Sequence, residues 1–138
     1  MLSLNRMKSL IYYQEFIQKI DAFTSSVVFT YKDRLHCQVG CSYCCILESI
    51  MPIEVIPIVQ WYAQQPELIK NRIKNNHSDY CIFLENGRCM IYPLRPVICR
   101  THGYPVLINN KVDICPLNDS IHLEPQYILN LEHCNTIL

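Results

Sequence analysis

Four of the nine cysteines in this 138-residue chain crowd into HCQVGCSYCCILE, as Cys37, Cys41, Cys44 and Cys45, and the last two are adjacent. Tightly spaced thiols in a reducing compartment point to metal binding, whereas a disulfide framework wants an even number and a secretory signal. The opening residues, MLSLNRMKSLIYYQEFIQKID, are broken by Arg6, Lys8, Glu15, Lys19 and Asp21. They therefore lack the unbroken apolar core and small-residue cleavage site of a signal peptide, and the chain is expected to be cytoplasmic. No stretch approaches the roughly 18 apolar residues of a membrane helix. With 12 basic and 12 acidic residues the formal charge is zero, and no basic run suggests nucleic-acid binding.

The cysteines fall into two groups. The first is C-x3-C-x2-C-C at 37–45, and the second is Cys81, Cys89 and Cys99 followed by Cys115; Cys134 stands apart as an expected free thiol. Cys41-Ser-Tyr-Cys44 has the spacing that lets one tight turn present two sulfurs to a tetrahedral centre, as zinc and iron–sulfur sites require. Cys81 and Cys89 flank Asn86-Gly87, the strongest local signal for a two-residue hairpin turn, which would bring them near each other.

Adjacency sharpens the reading. Neighbouring side chains point to opposite faces of a strand and about 100° apart in a helix, so Cys44 and Cys45 suit different metal atoms or roles. Eight thiolates, from Cys37, Cys41, Cys44, Cys45, Cys81, Cys89, Cys99 and Cys115, would fill two four-ligand centres or one polynuclear cluster. On two divalent ions they leave about −4 of charge, so cationic neighbours are expected, with Arg95 and Arg100 the candidates. His36 and His102 adjoin the cysteines as lower-ranked nitrogen ligands.

Elsewhere the pattern is mainly helical. Leu4, Met7, Leu10, Ile11, Phe16, Ile17, Ile20, Phe23 and Val27 recur at three- and four-residue steps, predicting an amphipathic helix over 4–30 with Ser3 as N-cap and that stripe as its core face. Residues 53–64 read as a helix if Pro57 falls in the first turn, and 67–76 as a shorter one. YPVLIN and KVDIC flank Asn109-Asn110 as a second hairpin, RPVICR is a turn or one helical turn, and a last helix is expected from Pro125. The chain should thus be a single domain over 1–138, of mainly α class with small β-hairpin elements (α+β). Its cysteine-cluster metal-binding region spans 37–115, after an N-terminal amphipathic helix within 1–36.

The ordered motifs carry a resemblance. C-x3-C-x2-CC, then Cys81-Ile-Phe-Leu, then Gly87-Arg88-Cys89-Met-Ile-Tyr92, then Arg95-Pro96-x2-Cys99-Arg100 resemble the bacterial "putative zinc- or iron-chelating domain" family of YkgJ-like cysteine-cluster proteins. The resemblance covers roughly 37–115 and implies metal-binding cysteines, with zinc or an iron–sulfur cluster as cofactor. A similar cysteine pattern occurs in flagellin lysine N-methylases, which implies an alternative as an iron–sulfur-dependent protein-modifying enzyme. This chain lacks the extra length of those enzymes, and it reads Thr101-His-Gly-Tyr-Pro105 where the family more often has a short aromatic-Pro sequence.

A further alternative is a metal carrier or sensor that passes its ion to a protein partner. The spacing of Cys37, Cys41 and Cys44 also matches radical S-adenosylmethionine enzymes, but the βα alternation and glycine-rich segments of their barrel are missing, with three glycines in the chain. No Ser-His-Asp arrangement, phosphate-cradling loop or HExxH helix suggests hydrolase or nucleotide chemistry.

Overall fold

The computed structural model describes residues 3–36, 41, 42, 45, 49–118 and 122–138. Its contacts divide the chain into two units, one made of Met1–Cys37 with Val97–Leu138 and the other of Gln38–Pro96. The whole is α+β, mainly helical with two small sheets.

The two-part unit is built on α1 (Leu4–Tyr31), which starts where the Ser3 hydroxyl accepts the N–H of Arg6. Its core face carries Tyr13, Ile20, Val27 and Tyr31. Ile20 joins Val97, Val106, Leu131 and Cys134 in one apolar cluster. Val27 and Tyr31 join Phe23, Leu35, Tyr104, Leu123 and Tyr127 in another, with the Tyr31 and Tyr127 rings edge to face at 5.4 Å. The expected stripe is corrected at its start. Leu4, Met7 and Ile11 are exposed, because at about 100° per residue they fall on the side opposite Ile20 and Val27. The helix is apolar on two faces there, and only one of them is buried.

The helical turn expected in RPVICR is α4 (Val97–Thr101), which starts directly after Pro96. The second hairpin forms as read from the sequence, with β3 (Val106–Ile108) antiparallel to β4 (Lys111–Asp113). Asn109 and Asn110 turn it at φ 50 and 57, the left-handed pair that matches the twist of the strands. The tail departs from expectation. Pro125–Tyr127 makes a 3-10 turn, Leu129–Asn130 forms β5 parallel to β3, and the last helix, α5, runs only over Leu131–Ile137. One long-range and one local bond explain this: Leu129 donates its N–H to the Pro105 carbonyl, and Asn130 caps α5 by accepting the N–H of His133. Arg100, 7% exposed, donates through Nη1 to both carboxylate oxygens of Asp21 at 2.8 and 2.7 Å and ties α4 to α1.

The Gln38–Pro96 unit holds α2 (Pro52–Ala63), α3 (Glu67–Lys74) and the hairpin of β1 (Leu84–Glu85) and β2 (Arg88–Cys89). Pro57 lies inside α2 beyond the first turn, where its missing N–H leaves one rung of the helix unmade. The start of α2 is secured by Glu54, 2% exposed, whose carboxylate accepts the N–H of Met51 at 2.8 Å. Asn86 and Gly87 turn the β1–β2 hairpin at φ 51 and 74, and Leu84 pairs with Cys89. Arg72 on α3 reaches Glu85 on β1 at 3.1 Å. Among the described residues no helix is long and apolar enough to cross a membrane.

Candidate metal centre

Cys45, Cys81 and Cys89 are brought to one neighbourhood by backbone chemistry. The Cys45 N–H donates to the Ser42 carbonyl at 3.0 Å, closing a turn at the end of the first cysteine group. The Cys45 carbonyl in turn accepts the N–H of Cys81 at 3.0 Å, joining the first group to the second. After Cys81 the chain turns at once, with the Leu84 N–H on the Cys81 carbonyl at 2.9 Å. The hairpin then returns Cys89, and the Met90 N–H donates to the Phe83 carbonyl at 2.8 Å. Two side chains hold this loop against the helices: Asn76 donates to the Ile82 carbonyl at 3.1 Å, and the Trp61 ring meets Phe83 edge to face at 6.2 Å. Trp61 and Asn76 thus position Cys81, a role the sequence pattern alone did not announce.

Neighbouring charges act on two of these sulfurs. Burial pushes the Cys45 thiol above its ordinary value, and the charges of Cys81, Cys89 and Cys41 push it further, while Arg95 pulls it down. The Cys89 thiol is raised by burial and by Cys81, and lowered by a backbone hydrogen bond from Ile91 and by Arg95. Arg95 is therefore the cationic neighbour of this group. Its guanidinium lies 3.6 Å from the centre of the Tyr92 ring, and its Nε donates to the Tyr92 carbonyl at 3.1 Å. Arg100, the other candidate cation, has Asp21 as its partner. Cys89 also lines an open hollow of about 440 Å³ with Glu85, Asn86, Arg88 and Met90.

The remaining sequence candidates are placed as follows. Cys37 and Cys44 lie outside the described residues, and with them the contrast between Cys44 and Cys45. Cys99 is exposed on α4, and Cys115 is half-buried with its N–H on the Gly103 carbonyl at 3.3 Å. Both belong to the unit made of Met1–Cys37 and Val97–Leu138. His36 is exposed and His102 half-buried. Cys134, 4% exposed, is a core residue packed with Ile20 and Leu131, and its thiol is raised by burial. Among the described residues no three Cys, His, Asp or Glu side chains converge in ligand geometry.

The chemistry of the donor set fits a borderline-soft metal. Cys41, Cys45, Cys81 and Cys89 carry free thiols, the charges of neighbouring cysteines reach Cys45 and Cys89, and an arginine and a backbone N–H act on the same two sulfurs. Such an arrangement defines a cysteine-cluster chelating domain. Residues 36–127 match the family model CxxCxxCC, described as a "putative zinc- or iron-chelating domain", and the chain belongs to that family. No curated protein and no solved structure matches it.

Proposed function

We propose that this protein is a metal-binding domain whose cysteines hold zinc or iron as thiolates, with Cys41, Cys45, Cys81 and Cys89 among the ligands. Cys37, Cys44, Cys99 and Cys115 supply the further thiolates of the eight-cysteine set. The observation that carries this reading is the meeting of the two cysteine groups, where the Cys81 N–H bonds the Cys45 carbonyl and the charges of Cys81, Cys89 and Cys41 act on the Cys45 thiol beside Arg95. Four like charges are tolerated at such proximity when a cation of higher charge sits among them. Bound zinc would cross-link the loop and hairpin and add directly to folding stability, whereas an iron–sulfur cluster would supply one-electron chemistry. If each centre is closed by four thiolates, no coordination position is left open, and a structural or metal-holding role is favoured over catalysis at the metal. Thiolates of this kind persist in a reducing compartment, in keeping with a cytoplasmic protein.

The test is metal and sulfide analysis of protein purified without oxygen, together with its ultraviolet–visible spectrum. Zinc in a colourless protein assigns a structural thiolate site, and iron with inorganic sulfide and broad absorption near ~400 nm assigns a cluster. Protein that retains neither metal, and takes up neither when supplied, overturns the proposal.

A further inference from the structure

Asn118 is fully buried at 0% exposure, yet it is polar and belongs to none of the cysteine motifs. Both ends of its amide are used. Oδ1 accepts the N–H of His36 at 2.7 Å, and Nδ2 donates to the carbonyl of Gly103 at 3.0 Å. The orientation of the amide is unambiguous, because a backbone N–H only donates and a carbonyl only accepts. The Asn118 N–H donates to the Cys115 carbonyl at 2.7 Å, and the Cys115 N–H donates to the same Gly103 carbonyl at 3.3 Å. Gly103, at φ 92, occupies the left-handed region that favours glycine, where the chain leaves α4.

These bonds join three segments. His36 follows the first helix, Gly103 follows the helix that carries Cys99, and Cys115 lies in the turn that Asn118 closes. All three segments belong to the unit of Met1–Cys37 and Val97–Leu138. A leucine of similar size would fill the space, and an aspartate would keep the acceptor while losing the donor. The asparagine does what neither can.

We infer that Asn118 is a positioning residue that sets the segments of Cys99 and Cys115 in register for metal binding. The inference rests on the proposed function, and it concerns the cysteines outside the Cys45–Cys81–Cys89 neighbourhood. Asn118 acts on the metal only through these segments, by fixing where their backbones stand.

The test is an anaerobic titration of cobalt(II) into the reduced, metal-free full chain, read as thiolate-to-cobalt charge-transfer absorption per chain. Wild type, Asn118→Leu, Asn118→Asp and Cys134→Ser are compared, with thermal unfolding of each metal-free protein alongside. Cys134→Ser controls for lost stability in the same unit, since Cys134 lies outside the proposed ligand set. The expected result is a loss of charge-transfer intensity and a roughly ten-fold weaker cobalt affinity in both Asn118 variants. Cys134→Ser should bind like wild type despite a lowered Tm. If Asn118→Leu does not fold, Asn118→Asp carries the comparison. Asn118 variants that bind cobalt like wild type, or a Cys134→Ser variant that loses as much binding as they do for the same fall in Tm, overturn the inference alone. A wild-type chain that shows no thiolate–cobalt absorption overturns the metal-binding reading itself.

Discussion

The backbone N–H of Cys81 donates to the carbonyl of Cys45 at 3.0 Å, so the two cysteine groups are stitched together by main chain before any metal is considered. Replacing either side chain leaves that bond in place. Cys45→Ser and Cys81→Ser are therefore expected to keep the fold of the metal-free protein while lowering the metal bound per chain. Elemental analysis beside circular dichroism checks this. Undiminished metal in both variants would remove these residues from the ligand set.

Acidity follows from the same neighbourhood. Burial and neighbouring thiols hold Cys45 and Cys89 above the ordinary 9.0, so both are protonated at neutral pH without metal. Metal must displace those protons, and zinc uptake should release protons and tighten as pH rises from about 6 towards 9. For the metal-free fold the sign is opposite. Above 9.0 the unfolded chain gives up thiol protons that the folded chain retains, so stability declines as pH rises through the raised values. Zinc titration in weak buffer with a pH indicator reads the first effect, and an affinity that does not change with pH would contradict it.

Arg95 is the cation that lowers both Cys45 and Cys89. Arg95→Met keeps much of the side-chain bulk over Tyr92 and removes the charge. Thiolate absorption near ~240 nm should then develop at higher pH in the metal-free protein, with metal uptake weakened most at neutral pH. An unchanged thiolate titration would show that solvent already screens the guanidinium.

Two changes in the other unit should act on stability. Asp21→Asn leaves the buried guanidinium of Arg100 with a neutral partner, at an expected cost of about 2 kcal/mol, moderated because the Asp21 side chain is 48% exposed. Cys134→Ser buries a hydroxyl among Ile20, Val97 and Leu131, at about 1–3 kcal/mol. Denaturant unfolding measures both, and midpoints equal to wild type would refute them.

Much of the fold was legible because local chemistry decides it. Asn86-Gly87 and Asn109-Asn110 take positive φ readily, and both hairpins form where those pairs stand. Ser3 starts α1 as its side chain predicts. What escaped was non-local. The pairing of Leu129 with Val106 joins residues far apart in sequence, and no pattern in the tail marks it. Asn118 was equally silent, because a lone asparagine reads as a turn residue until its partners His36 and Gly103 are placed. At the cysteines, spacing suggested a hairpin between Cys81 and Cys89; the hairpin forms with Leu84 opposite Cys89, and the charge of Cys81 reaches the Cys89 thiol. It did not show that Arg95 serves Cys45 and Cys89, since side-chain direction is set by the 3-10 turn of Tyr92–Leu94 before it.

The unit made of Met1–Cys37 and Val97–Leu138 is assembled from both ends of the sequence, whereas Gln38–Pro96 is continuous. During synthesis the first helix is made well before Val97, Val106 and Leu131, the residues that cover Ile20. The first helix must therefore wait, with its apolar face uncovered, until the segment of Leu131 has been made. Over that interval the nascent chain is most exposed to aggregation, and a chaperone or early metal capture would matter most then.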